Sequence, residues 1–331
     1  MKFRTLGTTG ISVSEIGFGA WGIGGTTPGA TSYGVADDDT SIRALSRARE
    51  MGINFFDTSP VYGYGHSEAL IGRAFAGARD GVVIATKGGL VEYGRPADFR
   101  ADVLRRELEA SLARLGTDHV DLYQLHNPSP DAMADGALAE LAAALRCEGK
   151  IRAFGVSVRG PADGILAIER LRPDAIQVNF NMMDQRVLDD GLLSAAARAS
   201  VALIARTPLC FGFLSGTVDE TSRFSADDHR SRWPWAQLRR WAETGRRMLG
   251  CRRGGAEQTA TQFALRYCLS FSEFATVIPG MMTPGEVEEN AAASALGPLS
   301  ADEIAQIGRC YREADLFQDA PPDPGKVDAS P

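Results

Sequence analysis

Short apolar runs alternate with amphipathic stretches along almost the whole chain. The runs are NFFDTS (54–59), VVIATK (82–87), VDLYQLH (120–126), IRAFGVSV (151–158), AIQVNF (175–180), VALIAR (201–206) and ATVIPG (275–280). Each is rich in β-branched or aromatic residues and apolar on both faces, as strands buried in a parallel sheet are. Between them the apolar positions take helical spacing. Leu104, Leu108, Leu112 and Leu115 share one face, as do Leu138, Leu141 and Leu145, and then Leu188, Leu192 and Ala195. A further strand over 15–20 (EIGFGA) precedes the first helix, which Asp37 to Asp39 cap and Gly52 ends.

Eight strands thus alternate with helices, and an alternating chain of over about 250 residues is either doubly wound or a closed barrel. No G-x-G-x-x-G lies between the first strand and the first helix; GIGG at 22–25 runs into TTPGATSYG, which reads as loop. That favours the barrel. The predicted fold is therefore an α/β (β/α)8 TIM barrel. Two segments stand outside its repeat. Residues 3–14 predict an N-terminal β-hairpin, turning at Thr8–Gly10, that plugs the barrel floor, and 211–256 form a long loop insertion after the seventh strand. The expected organisation is one barrel domain over 1–316, with a disordered tail over 317–331 that carries four prolines.

Composition excludes several classes of function. A chain of 331 residues, 44% hydrophobic and 23% charged, is an ordinary globular protein that needs no disulfide or metal staple for its core. Its net charge of −7 argues against nucleic-acid and membrane-surface partners. Five scattered cysteines with no C-x-x-C pair suggest neither a disulfide framework nor a zinc site, and buried reduced thiols are expected. The N-terminus MKFRTLGTTG has no apolar signal region and no run approaches membrane-span length, so a cytoplasmic protein is expected. The oligomeric state stays open.

In such a barrel the active site lies at the carboxyl ends of the strands. The second strand ends in Asp57, with Tyr62 five residues on in DTSPVYG; the third ends in Lys87 and the fourth in His126. Each alone has an ordinary explanation as a turn cap, a rim aromatic, a strand end or a rim histidine. Four such residues at three consecutive strand ends make coincidence a poor account. Their chemistry also fits together. Tyrosine, with a pKa of about 10, is a weak proton donor at neutral pH. An ammonium about 4 Å away interacts with a phenolate by roughly 4 kcal/mol at an effective dielectric near 20, which pulls the phenol's pKa down before burial takes some back. A buried lysine needs a counter-charge, which Asp57 supplies. His126, as a hydrogen-bond donor, would orient a carbonyl oxygen and stabilise charge developing on it.

These four residues resemble the Asp, Tyr, Lys and His tetrad of the aldo-keto reductases. The resemblance covers about 1–312 and includes GFGAW at 17–21, GVSV at 155–158, QVNFN at 177–181, RTPL at 206–209, FLSG at 213–216 and IPG…EEN at 278–290. It implies an enzyme that reduces a small-molecule carbonyl substrate, an aldehyde or ketone, to the alcohol, or runs the reverse. NADP(H) or NAD(H) would supply a hydride from C4, and Tyr62 the proton. It further implies that Ser157 and Gln177 hold the nicotinamide carboxamide and that Trp21 walls the substrate pocket. A loop from Pro208 to Gly216, with Leu209, Gly212 and Ser215, would fold over the pyrophosphate. Gly280, Met282 and Glu286 would follow the last strand beside the cofactor, and Glu289 and Asn290 would approach the adenine. A cofactor-binding regulatory or redox-sensing subunit of the same fold is the alternative reading.

Three positions depart from the family pattern. Arg206 stands where many members carry an aromatic residue that stacks on the nicotinamide, and a guanidinium stacks too. Val158 stands where Asn is frequent. The stretch Gly280–Glu286 lacks the basic residues that usually read the 2′-phosphate, so weak discrimination for NADP over NAD is expected. Nine arginines against three acids over 223–253 segregate positive charge in an acidic protein. They form either a solvated helix face or a set of cations brought to an anion at the barrel mouth.

Overall fold

The computed structural model describes residues 1–253 and 258–316. Strands β1 (Phe3–Thr5) and β2 (Ser12–Ser14) pair antiparallel, with Phe3 opposite Ser14. Eight parallel strands follow: β3 (Phe18–Gly19), β4 (Phe55–Asp57), β5 (Val83–Gly88), β6 (Val120–His126), β7 (Ile151–Ser157), β8 (Ala175–Asn179), β9 (Ala202–Arg206) and β10 (Phe274–Ile278). They pair in chain order, and all eight coincide with the apolar runs read from the sequence, β5 running one residue past its run to Gly88 and β10 starting one residue before its run at Phe274. The ring closes between its first and last members. Gly17 N donates to Val277 O at 2.8 Å, Val277 N to Glu15 O at 3.0 Å and Gly19 N to Pro279 O at 2.9 Å. Glycine is needed at this seam, because a Cβ on Gly19 would lie 2.9 Å from the Ile278 and Pro279 carbonyl oxygens.

The hairpin does plug the floor. Leu6, Ile11 and Val13 join inward-facing Phe55, Val83, Leu122 and Ile204 in one buried cluster. Small residues elsewhere in that cluster (Ala85, Ala153, Ala175 and Ala202) leave room for the plug side chains. A second, larger cluster fills the shell between the strands and the surrounding helices.

The helices run α1 (Asp38–Glu50), α2 (His66–Ala74), α3 (Ala101–Leu115), α4 (Pro130–Met133), α5 (Ala137–Cys147), α6 (Pro161–Leu171), α7 (Arg186–Asp189), α8 (Leu192–Ala199), α9 (Trp235–Leu249), α10 (Ala260–Leu269), α11 (Pro284–Leu296) and α12 (Ala301–Glu313). Asp37 caps α1 by accepting from Thr40 N, as its sequence predicts. The leucines of α3 and α5 are buried on one face each.

Two expectations need correction. The face of Leu188, Leu192 and Ala195 is not one helix: the chain breaks between α7 and α8 at Gly191, whose φ is 85°, and Ala196 rather than Ala195 is buried. The insertion is not simply loop, because it contains a short turn (His229–Arg232) and the four-turn α9. The expected disordered tail, 317–331, lies outside the described residues. Among those described, no helix is long and apolar enough to cross a membrane.

Candidate active site

Register between neighbouring strands brings the polar residues to one level. Lys87 on β5 is opposite Gln124 on β6, His126 is opposite Ser157 on β7, and Ser157 is opposite Gln177 on β8. At the mouth above them lies a cavity of about 330 Å³, lined by Trp21, Tyr33, Asp57, Tyr62, Tyr93, His126, Gln177, Arg206 and Phe211 among others.

Lys87 is fully buried, and its ammonium spends all three donors. It donates to Asp57 Oδ2 at 2.6 Å, to the Thr58 carbonyl at 2.8 Å and to Tyr62 Oη at 3.1 Å. The other oxygen of Asp57 accepts from Gln124 Nε2 at 3.1 Å and Gln177 Nε2 at 2.7 Å. One buried carboxylate therefore ties β4 to β5, β6 and β8. Burial pulls the Lys87 ammonium below the ordinary lysine range, with Asp57 opposing it.

Tyr62 departs from the expectation of an acidified phenol. Burial, followed by the Asp57 carboxylate, holds it well above the ordinary tyrosine value, and Arg206 opposes. The main physical reason is the loss of water around a buried phenolate, and the Asp57 carboxylate that pairs with Lys87 adds to it. Tyr62 is therefore neutral, with its proton in place, across the physiological range.

His126 is held well below the ordinary histidine value by burial first, then by Lys87, Arg206 and Arg159, so it is uncharged. Its Nδ1 lies 3.1 Å from Ser59 Oγ, which also accepts from Val61 N at 3.4 Å. When that hydroxyl donates to Nδ1, the imidazole proton sits on Nε2 as a hydrogen-bond donor; in the other tautomer Nδ1 donates to Ser59 instead. The ring meets Tyr62 edge-on at 6.0 Å.

The remaining sequence-predicted residues divide into those at the cavity and those beyond it. Trp21, Gln177, Arg206 and Gly280 line it. Ser157 is fully buried behind Gln177, with Oγ 3.4 Å from Gln177 Oε1. Arg206 donates to the Val158 carbonyl at 2.9 Å, and its Nε is buried with no partner. Pro208, Leu209, Gly212 and Ser215 form the loop leaving β9; Ser215 Oγ donates to Gly212 O at 2.7 Å and Phe211 within it has a φ of 55°. Met282 and Glu286 open α11, where the Glu286 carboxylate accepts from Met282 N at 2.7 Å and Thr283 N at 3.0 Å. Glu289 and Asn290 follow on the same helix, away from the cavity, and Asn290 is only 2% exposed.

Several groups of the site escaped the sequence reading. Gln124 carried a signal, since it lies two residues before His126 and therefore on the same strand face. Tyr33, Tyr93, Asn127, Arg159 and Phe211 come from loops and carried none. The insertion reaches the mouth through aromatic rings rather than charge. His229 packs 4.7 Å from Trp21, 4.9 Å from Tyr33 and 5.3 Å from Phe211. The arginines of α9 are engaged elsewhere: Arg239 with Glu243, Arg246 with Glu220, and Arg247 with Glu313 and the Cys310 carbonyl. Arg230 grips Asp228 and the Phe211 carbonyl. The solvated-face reading of α9 therefore holds over the anion-at-the-mouth reading.

A closed parallel barrel with a buried lysine–tyrosine–carboxylate group at its mouth defines a class of oxidoreductase. The sequence model of the aldo/keto reductase family matches residues 15–312, and the chain belongs to that family of NAD(P)-dependent oxidoreductases. It is 36% identical over 249 residues to the aldo-keto reductase YhdN of Bacillus subtilis, covering 73% of this chain and 72% of that one. It is 30% identical over 332 residues to the NADH-specific methylglyoxal reductase of Escherichia coli, covering 91% and 96%. The solved holo form of aldo-keto reductase AKR11C1 from Bacillus halodurans superposes with a TM-score of 0.76 at 27% identity, covering 96% and 97%.

Proposed function

We propose that this protein interconverts an aldehyde or ketone and its alcohol, with Tyr62 giving or taking the proton and a nicotinamide cofactor supplying or accepting the hydride at C4. The observation that carries the reading is the 3.1 Å contact of the buried Lys87 ammonium with Tyr62 Oη, backed by Asp57 at 2.6 Å. A phenol beside a fixed ammonium loses its proton into an environment already arranged for the anion. Asp57 keeps that ammonium charged, and His126 offers an Nε2 proton to the carbonyl oxygen.

The residues present suit a nicotinamide. Gln177 spends its amide protons on Asp57 and Gln124, which leaves Oε1, shared only with Ser157, to accept from a carboxamide. Arg206 brings a planar guanidinium to the cavity wall, a surface on which a nicotinamide ring can stack, and its buried Nε–H has no protein acceptor. The adenosine end favours NAD(H) over NADP(H). At the opening of α11 the backbone donors a 2′-phosphate would use are occupied by the carboxylate of Glu286, which also repels a dianion there. The substrate is a small carbonyl compound held between Trp21, Tyr33, Tyr93 and Phe211. The working unit is a barrel domain over 1–316 acting in the cytoplasm, a setting supported by five free thiols.

Steady-state oxidation of NADH and NADPH against a panel of sugars, aryl aldehydes and ketones tests this. Turnover with at least one carbonyl, lost in Tyr62→Phe, is expected. Saturable NADH binding, read by cofactor fluorescence, with no turnover across the panel would instead favour the binding or redox-sensing subunit.

A further inference from the structure

The sequence scatters its five cysteines, but the fold brings two of them together. Cys251 follows the last turn of α9, and Cys310 lies in the last turn of α12; their sulfur atoms are 3.7 Å apart. Among the described residues no other two thiols meet in this way. Cys268 turns its thiol to the Phe180 carbonyl, Cys210 is buried in the loop after β9, and Cys147 is exposed on α5. Covalent bonding at about 2.05 Å needs an approach of less than 2 Å, within reach of side-chain rotation at the ends of two helices.

We propose that Cys251 and Cys310 form an oxidisable pair, converted by a hydroperoxide to a disulfide that staples the insertion helix α9 to the C-terminal helix α12. The two thiols differ in the way a two-step oxidation requires. Cys251 is 3% exposed, whereas Cys310 is partly exposed. Burial and the contact with Cys310 push the Cys251 thiol up to about 11, so it is a poor first nucleophile. Arg247 touches both residues, donating to the Cys310 carbonyl at 2.7 Å while its own carbonyl lies 3.8 Å from the Cys251 sulfur.

The Cys310 thiolate attacks the terminal peroxide oxygen, giving a sulfenic acid and releasing the alcohol, or water from hydrogen peroxide. The Cys251 sulfur then attacks the sulfenic sulfur; its proton leaves with the hydroxyl as water. Two thiols lose two electrons, and the peroxide bond gains them. The resulting link closes a loop of about sixty residues carrying α10, β10 and α11, which restricts the unfolded chain. It also reinforces an existing seam, since Gln237 and Trp241 of α9 already donate to the Leu316 carbonyl.

The test uses the full reduced chain, treated with a few equivalents of hydrogen peroxide, quenched, alkylated in denaturant and mapped by non-reducing peptide mass spectrometry. The expected result is a linked 251–310 peptide pair 2 Da lighter than its two thiols, and a fall in titratable thiols from five to three. Tm rises by several degrees and returns to its starting value with dithiothreitol. Cys251→Ser abolishes the link and leaves Cys310 to oxidise further. Wild-type protein in which Cys310 reaches the sulfinic acid while Cys251 stays reduced overturns the proposal. So does a link that forms only between chains through Cys147.

Discussion

Replacing Lys87 with Met separates the electrostatics of the barrel from its chemistry. At 2.6 Å and an effective dielectric near 20, the Lys87–Asp57 attraction is about 6 kcal/mol before desolvation returns much of it. Removing one partner from a buried pair typically costs about 3–5 kcal/mol, because the remaining charge is stranded. Asp57 would still accept from Gln124 and Gln177, so the lower end, about 3 kcal/mol, is expected for Lys87→Met. Asp57→Asn with Lys87→Met removes both charges and should regain most of that loss. Activity should not follow stability: turnover falls by about 10²–10⁴-fold in the single and the double variant alike, since both leave Tyr62 without its ammonium. Urea unfolding of wild type, both singles and the double gives the coupling, and single-turnover carbonyl reduction gives the rate. If the two stability losses simply add, or if the double variant recovers turnover, the reasoning fails.

Tyr62→Phe should lower kcat by about 10²–10⁴-fold while leaving NADH affinity by fluorescence titration within about twofold, and retention of a tenth of wild-type turnover would remove Tyr62 from its role. Wild-type kcat/KM should favour NADH or show little preference, and Met282→Lys should raise it for NADPH by about tenfold or more through a charged hydrogen bond; a thousandfold wild-type preference for NADPH contradicts the reading of Glu286. His229 is pushed down to about 4, mainly by burial with Asp228 opposing, so its contribution is complete above pH of about 6.5 and is lost as pH falls toward 4. At pH 5 that loss is about 2 kcal/mol, and His229→Gln should flatten the fall in urea midpoint between pH 7.5 and 5; an unchanged slope argues against a buried neutral His229.

Much of this architecture was legible because burial on both faces writes strands as unbroken apolar runs, and a polar residue ending such a run is conspicuous. Asp57, Lys87 and His126 were visible for that reason, and Tyr62 by its nearness to Asp57. What was not legible depends on contacts between distant parts of the chain. His229 N donates to the Ser32 carbonyl at 2.8 Å across nearly two hundred residues, and that pairing places Tyr33 against Trp21. No local pattern announces it. The break at Gly191 was missed because helical spacing counts apolar positions and ignores the left-handed glycine that resets the phase. The charge of α9 left two readings open for a similar reason: arginine count sets a field, but the partners Glu220, Glu313 and the Cys310 carbonyl are met only in three dimensions. Tyr62 shows the same limit in energetics: Asp57 is readable as the counter-charge of Lys87, but how far burial outweighs the ammonium appears only once the contacts are known.

Donor counting at Lys87 gives the site its direction. An ammonium has three protons and no lone pair, and here they go to Asp57, Thr58 and Tyr62. Tyr62 Oη must therefore accept from Lys87, and its own proton points away from Lys87. The cavity, with His126 on its wall, lies on that open side. In the proposed reaction, loss of that proton needs no rearrangement behind it, because the hydrogen bond that stabilises a phenolate is already made to the phenol. Burial keeps the proton on Tyr62 at rest, and the field that favours its departure strengthens only as negative charge develops on the substrate oxygen. A raised resting pKa and an acid role are thus compatible: the first keeps the donor loaded, and the prearranged ammonium lowers the cost of spending it.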